Sequence, residues 1–359
     1  MVANPWCDEN YPPHWSDAGV VEVHGARFRF GIATANATQF DEAADYNRDH
    51  ALVRVIAFSL NRWDHASFSD DGKSVLDSTH GIGSDFVAEV ISVGRQVTDL
   101  GAGHRVVPCA DWPSHPGIPG ARGLVSTSAS RQLLRLPANG LMKVSESITD
   151  EAAAALSMSA QSGYAMVRRL DPQPGQHVTV CGASSDVGLA ALGALACRNI
   201  KVSVLDAAPE YAPLLRKLGV SQVLQSGKTG LDSAWSYAAS IGGFDGVLDA
   251  RSSIDLRPVE LLGFSGRYVA CGMRAEVPDD LATALPSVIS KNITIIGNNL
   301  GIRADLADAL QHVAEGRWEP VIDSVYTESQ LTEFLEREFG TKNRLGRVIF
   351  RYPRSGNHE

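Results

Sequence analysis

The sequence predicts an α/β chain in two parts, a small antiparallel β domain followed by a doubly wound parallel sheet with helices on both faces. Three observations predict it. Short β-branched runs separated by Gly- and Pro-rich turns mark the amino-terminal part. After about Ser145, strand-length apolar runs alternate with helix-length segments. At 359 residues, the chain exceeds the size that one hydrophobic core usually serves.

The elements follow in order. Residues 1–46 are rich in Pro, Asp, Asn and His, with strand-like pieces at 20–23 and 27–32 and no assignable chemistry. Strands are expected at 51–57 (ALVRVIA) and 86–93 (FVAEVISV), a turn and another strand within 101–107 (GAGHRVV), and a loop at 111–123. Asp150 can cap an Ala-rich helix that closes at the PQPGQ turn of 172–176. Parallel strands are then expected at 177–181, 201–205, 222–224, 246–248, 268–271 and 293–296. Leu306, Leu310 and Val313 fall at i, i+4 and i+7, which predicts an amphipathic helix before a last strand at 347–350.

Composition narrows the class of function. Hydrophobic residues make up 44% and charged residues 20%, as in ordinary globular domains. Lys plus Arg is 32 and Asp plus Glu 41, so the net charge of −9 argues against partnership with nucleic acid or an anionic membrane. No run approaches the roughly 18 apolar residues of a membrane span, and the first thirty residues carry no leader pattern, which gives a cytoplasmic expectation. Five cysteines (Cys7, Cys109, Cys181, Cys197, Cys271) without a CxxC pair read as reduced thiols.

The motif that carries chemistry is GASSDVG, Gly182 to Gly188, directly after the strand HVTVC and before the small-residue helix LAALGALA. Strand, tight turn and helix in that order form a dinucleotide-binding turn, in which a helix amino-terminus faces a pyrophosphate. Ala183, Ser184, Ser185, Asp186, Val187 and Gly188 are the candidate contacts, Gly188 allowing close packing of helix on strand. Aligned on G-x-G-x-x-G, Ala183 and Ser185 stand where the first two glycines belong, and Asp186 sets a carboxylate in the phosphate turn. Asp206, 18 residues past Gly188, either accepts hydrogen bonds from the adenosine ribose diol or serves its own turn. The first role favours NAD(H) over NADP(H), as does the lack of Lys or Arg from 207 to 215.

From about Ala51 to Arg351, ordered segments resemble the medium-chain dehydrogenase/reductase family, in its zinc-independent, quinone-oxidoreductase-like branch. SLNRWD (59–64) is similar to its SLNPxD, GSDFVAEVISVG (83–94) to its GxDxAGxVxxVG, and GHRV (103–106) to its GDRV; PGQHVTVCGAS, FDGVLDA, GRYVACG and KNITIIGN follow in family order. The resemblance implies a GroES-like catalytic domain from 1–158 and 299–359, a Rossmann dinucleotide-binding domain from 159–298, and an active site in the cleft between them.

Zinc-dependent members hold their metal at positions that here read Asn61, Ser84-Asp85 and about Met158, which leaves no metal set. Without metal, the chemistry is hydride transfer from a nicotinamide to a small conjugated carbonyl, quinone or enoyl acceptor. The resemblance places Asn61 in the site as a hydrogen-bond donor, the alternative being a turn-stabilising Asn. It also places Ser162 and Tyr164 near the nicotinamide, Tyr164 as donor or as wall, and Gly272, Met273 and Asn298 beside it through their main chains. Relatives pair as homodimers through the last strand of the parallel sheet, here 293–296. A second reading stands beside the first: Ser185 and Asp186 fit a member that has left redox chemistry for a non-redox biosynthetic or binding role.

Overall fold

A computed structural model describes residues 2–4, 15–23, 26–33, 39–61, 64, 81–113, 122–225, 228–251, 256–271, 280–340 and 344–353. They form two compact units, Met1–Met158 with Val321–Glu359 and Ser159–Pro320.

The first unit opens with β1 (Val2–Asn4), β2 (Trp15–Val23) and β3 (Ala26–Ala33), a three-stranded antiparallel sheet in the order β1-β3-β2. The chain continues through β4 (His50–Ser59), β5 (Asp85–Val93), β6 (Arg105–Pro108), the short pair β7 (Trp112–Pro113) and β8 (Arg122–Gly123), then β9 (Leu133–Pro137) and β10 (Leu141–Lys143). The expected single Ala-rich helix is two helices, α1 (Asp150–Ala154) and α2 (Ser157–Leu170). Thr149, not Asp150, caps the first by accepting from the Ala152 amide at 3.2 Å. Asp150 instead pairs with Arg105 at 2.8 Å.

The second unit runs through β11 (His177–Cys181), α3 (Asp186–Ala196), β12 (Lys201–Ala207), α4 (Ala212–Lys217), β13 (Gln222–Gln225), α5 (Lys228–Ser240), β14 (Phe244–Asp249), β15 (Leu262–Ala270), α6 (Asp280–Ser290), β16 (Thr294–Gly297) and α7 (Arg303–Ala314). Its strands are all parallel in the order β13-β12-β11-β14-β15-β16, so the winding reverses between β11 and β14. That reversal is where a Rossmann sheet opens a ligand crevice beyond its strand ends. Helix α2 crosses α3 with no room to spare: a Cβ on Gly163 would sit 2.7 Å from the Ala191 nitrogen.

The expectation placed 299–320 with the first unit; these residues pack with the second. Asp305 of α7 takes a bidentate bond from Arg168 of α2, at 2.7 and 3.0 Å. Trp318 lies so close over α3 that a Cβ on Gly193 would meet its ring at 2.5 Å. An ion pair and a ring seated on a glycine therefore decide to which unit the segment belongs.

The chain then returns to the first unit with β17 (Ile322–Tyr326), α8 (Leu331–Phe339) and β18 (Arg347–Arg351). The main sheet has the order β10-β6-β5-β4-β18-β17, with β9 also paired to β4. Phe58, Phe334 and Phe350 centre its core, with ring centroids 5.2 to 5.8 Å apart. Val21 and Phe30 of the amino-terminal sheet join that core, Phe30 stacking on Phe339 at 6.3 Å. The segment without assignable chemistry thus acts as cover for an apolar face.

Candidate functional site

The turn between β11 and α3 begins at Gly182, whose φ of +69° few side chains adopt. A Cβ there would also come within 2.9 Å of Arg251 Cγ. Ser185 is the helix N-cap: its Oγ accepts from the Gly188 amide at 3.1 Å and donates to the Gly182 carbonyl at 2.8 Å. A Cβ on Gly188 would lie 2.3 Å from the Gly182 oxygen and 2.9 Å from Ala183 Cα, both backbone atoms that cannot swing aside. The turn therefore requires glycine at its two ends, 182 and 188. The alignment on Ala183 passed over Gly182, and its signal was a glycine directly after a strand.

Ser184, Asp186 and Val187 are half-buried at the mouth of this turn, whereas Ala183 is fully buried. Asp186 is the first residue of α3, at the end where the helix dipole favours negative charge. First-turn N–H groups have no carbonyl one turn back to meet, so the turn offers donors to an anion. Tight backbone, two obligatory glycines and an open helix end fit the pyrophosphate of a nicotinamide dinucleotide.

Other expected contacts lie around the strand ends. Leu205 pairs with Cys181, which sets Asp206 level with Gly182 on the adjacent strand. The Asp206 side chain, Gly272 and Met273 lie outside the described residues. Asn298 follows β16, its amide donating to Ala270 at 2.8 Å and its Nδ2 to Leu300 at 3.0 Å. Its side chain also bonds the Cys271 thiol, though burial prevails and pushes that thiol up.

Ser162 is buried in α2, 2% exposed. The Tyr164 hydroxyl is bonded to His312 Nδ1 at 2.9 Å, and its ring packs on Trp318. Burial pushes Tyr164 well up, with Cys197, just past the carboxy-terminal end of α3, as the next cause. Helix α3 has 11 residues, about 16 Å at 1.5 Å per residue, and the dinucleotide turn is at its other end. Of the two roles left open for Tyr164, its bond to His312 and its contact with Trp318 fit packing.

A second constellation lies in the first unit. Asn61 follows β4 and is 7% exposed. Its Nδ2 donates to Ser84 Oγ at 2.9 Å, and Ser84 donates onward to Asp64 Oδ2 at 2.8 Å. Asp64 also accepts from the amides of Asn61 at 2.7 Å and Gly83 at 3.0 Å. Despite these donors, burial pushes the Asp64 carboxyl above its usual range, and neighbouring Asp85 adds to the rise. Asp85 is fully buried, accepting from the Met158 amide at 2.9 Å and from Arg347 Nη2 at 2.9 Å. The Arg347 guanidinium also donates to the Leu60 carbonyl and to Asn61 Oδ1.

These contacts join the three positions that the family resemblance implies as metal-ligand positions. Asn61, Ser84-Asp85 and Met158 do converge, but the donor set does not fit a catalytic metal: two amide and hydroxyl groups are bonded to each other, Met158 contributes its main chain, and a guanidinium binds the carboxylate. Among the described residues no group of three or more His, Cys, Asp or Glu side chains could hold a metal ion. His65, which with Asp85 would be too few side chains for a zinc set, lies outside the described residues.

Comparison with known proteins gives the same architecture. Residues 47–146 match the family model described as alcohol dehydrogenase GroES-like domain, and residues 187–315 that described as zinc-binding dehydrogenase. A quinone oxidoreductase-like protein 2 of Bos taurus is 26% identical over 261 residues, 68% of each chain. An acryloyl-coenzyme A reductase of Metallosphaera sedula is 24% identical over 281 residues, 75% of this chain and 82% of its own. The quinone oxidoreductase structure from Thermus thermophilus, solved also with NADPH, superposes with a TM-score of 0.67 at 21% identity, and the solved structure of AibC with 0.75 at 19%, covering 95% of this chain and 100% of that one. Two matched models in family order, on a GroES-like unit and a Rossmann sheet, make this chain a member of the medium-chain dehydrogenase/reductase family, whose members are nicotinamide-dependent oxidoreductases.

Proposed function

We propose that the protein is a zinc-independent reductase that uses a reduced nicotinamide cofactor to reduce a small conjugated carbonyl, quinone or enoyl acceptor. The carrying observation is the turn Gly182–Gly188, a backbone cradle at the reversal of the parallel sheet. The bound cofactor supplies the hydride. The chain's own residues bind and orient: the α3 amino-terminus receives the pyrophosphate, Ser185 holds the turn in shape, and Ser162 and Asn298 line the fold around it. Asn61 donates from Nδ2 to the acceptor oxygen as negative charge gathers there. The quinone and acryloyl-thioester chemistry in the relatives' names supports this acceptor class.

NAD(H) is the preferred cofactor in this reading, because Asp206 lies near the end of β12, level with the phosphate turn, and no Lys or Arg follows through 215. Fluorescence titration with NADH and NADPH tests it. Micromolar NADH affinity with weaker NADPH affinity is expected, and no binding of either at millimolar concentration would overturn the reductase.

The active form is a homodimer that extends the parallel sheet through β16. Ile295 on that edge strand is 43% exposed, and Leu285 and Ile289 on the preceding α6 are 45% and 74% exposed, an apolar edge that a soluble chain normally covers. A monomer mass by light scattering at micromolar concentration would refute it. Among the described residues no helix is long and apolar enough to cross a membrane. The cytoplasm, where Cys109, Cys181, Cys197 and Cys271 stay thiols, is the compartment this reading expects.

A further inference from the structure

We infer that Arg347 is the positioning residue for Asn61, fixing which end of its amide is offered to substrate. The inference rests on the donor role proposed for Asn61. A guanidinium only donates, so the Asn61 atom facing Arg347 is its oxygen. Ser84 spends its hydroxyl proton on Asp64, so Ser84 Oγ is the acceptor for Asn61 and the atom facing it is Nδ2. Both neighbours demand the same orientation. Turning the amide over would set two donors against each other on one side and two acceptors on the other, each a buried mismatch.

The anchor itself is rigid. Arg347 is 4% exposed, and an arginine so buried is held only by its partners. Asp85 and the Leu60 carbonyl take the guanidinium from two sides, while the Met158 amide holds Asp85 from a third. One Nδ2 hydrogen of Asn61 is taken by Ser84; among the described residues the other meets no acceptor. The cation at the carbonyl end polarises the amide and strengthens that remaining N–H as a donor. A side-chain cation thus stands where the ligand positions of zinc-dependent relatives converge, and it acts through an amide rather than by touching substrate.

The test compares Asn61→Ala with the charge-neutral pair Arg347→Met plus Asp85→Asn, which avoids stranding a buried carboxylate, and with all three together. With NADH and 1,4-naphthoquinone or 2-cyclohexenone as probes, Asn61→Ala lowers kcat about 100-fold. The Arg347→Met/Asp85→Asn pair lowers kcat about 10- to 100-fold with NADH affinity unchanged, and adds less than about twofold on top of Asn61→Ala. Arg347→Lys, which keeps one donor on the amide, recovers part of the loss. Binding of 4-nitrophenolate, an oxyanion whose absorbance reports hydrogen bonding, follows the same non-additive pattern without turnover. Additive losses, an unchanged kcat in the Arg347→Met/Asp85→Asn pair, or no phenolate binding to the wild type would overturn the inference. Failure to bind NADH would overturn the reductase reading while the phenolate cycle still decides the role of Arg347.

Discussion

The two units bury charge in different ways, the first in one connected network and the second in separate pairs. In the first, Asp64, Asp85 and Arg347 are linked through Ser84 and Asn61 into one buried network. In the second, Asp249 and Asp305 each pair with an adjacent arginine, and the imidazole and phenol groups are held neutral: desolvation lowers His177 and His312, and raises Tyr164 and Tyr268. His177 bonds Ser203 at 2.7 Å, and His312 bonds Tyr164. Charge buried in a network fixes orientation, because every donor and acceptor has one allowed partner. Neutral pairs fill an interior that must only stay packed around a phosphate turn. The first arrangement suits a place that orients a substrate, the second a scaffold.

The largest effect that sharpens this contrast is in the scaffold. Gly188→Val drives a side chain into the Gly182 carbonyl and should abolish NADH binding or unfold the second unit, read by titration and by calorimetric unfolding. Next comes Asn61→Ala, expected to cost about 100-fold in kcat while NADH affinity holds within twofold. If it weakened cofactor binding instead, the division of labour between the units would fail.

Acidification separates the units further. His177 and His312 have folded pKa values below the usual 6.5, so between those values and 6.5 the unfolded chain binds more protons and stability rises with pH. Lowering the pH from 7 through 6.5 should therefore loosen the second unit. Asp64 is shifted upward, so over its own range the folded chain binds more protons and acid favours the first unit. Hydrogen exchange, corrected for intrinsic rates, should show β14 amides losing protection in mild acid before β4 amides; the reverse order would refute the assignment. The smallest effect is Tyr164→Phe, about 1 kcal/mol of stability from the bond to His312 and no change in kcat. A tenfold fall in kcat would instead assign Tyr164 to the chemistry.

Much of this was legible before the structure, and what was not has a common cause. Alternating strands and helices announced the parallel sheet because period and length are local properties. Gly188 was legible for the same reason, from the helix it opens. Gly182 was missed because its need is a backbone angle, which a pattern of letters carries only in register. The amphipathic run 306–313 showed that a helix would form but not which unit it would cover; Arg168–Asp305 and Trp318 over Gly193 decide that at long range. Arg347 read as the first residue of an apolar strand, 286 positions from the amide it orients. Nothing local marks such a pair.

The pairing of β18 with β4 also sets an order of events during synthesis. The second unit is one continuous stretch and can fold as soon as it has emerged, whereas Ala57 and Phe58 of β4 wait for Arg351 and Phe350. At about 5–20 residues per second, that wait of roughly 290 residues lasts on the order of 15–60 s on the ribosome. Through it the nascent chain carries a finished cofactor scaffold beside an open sheet edge and an Asn61 without its anchor. The Arg347–Asn61 contact forms only once the residues from Arg347 onward are made, so a ribosome that stalls short of them leaves a chain with a folded second unit and no anchor for Asn61.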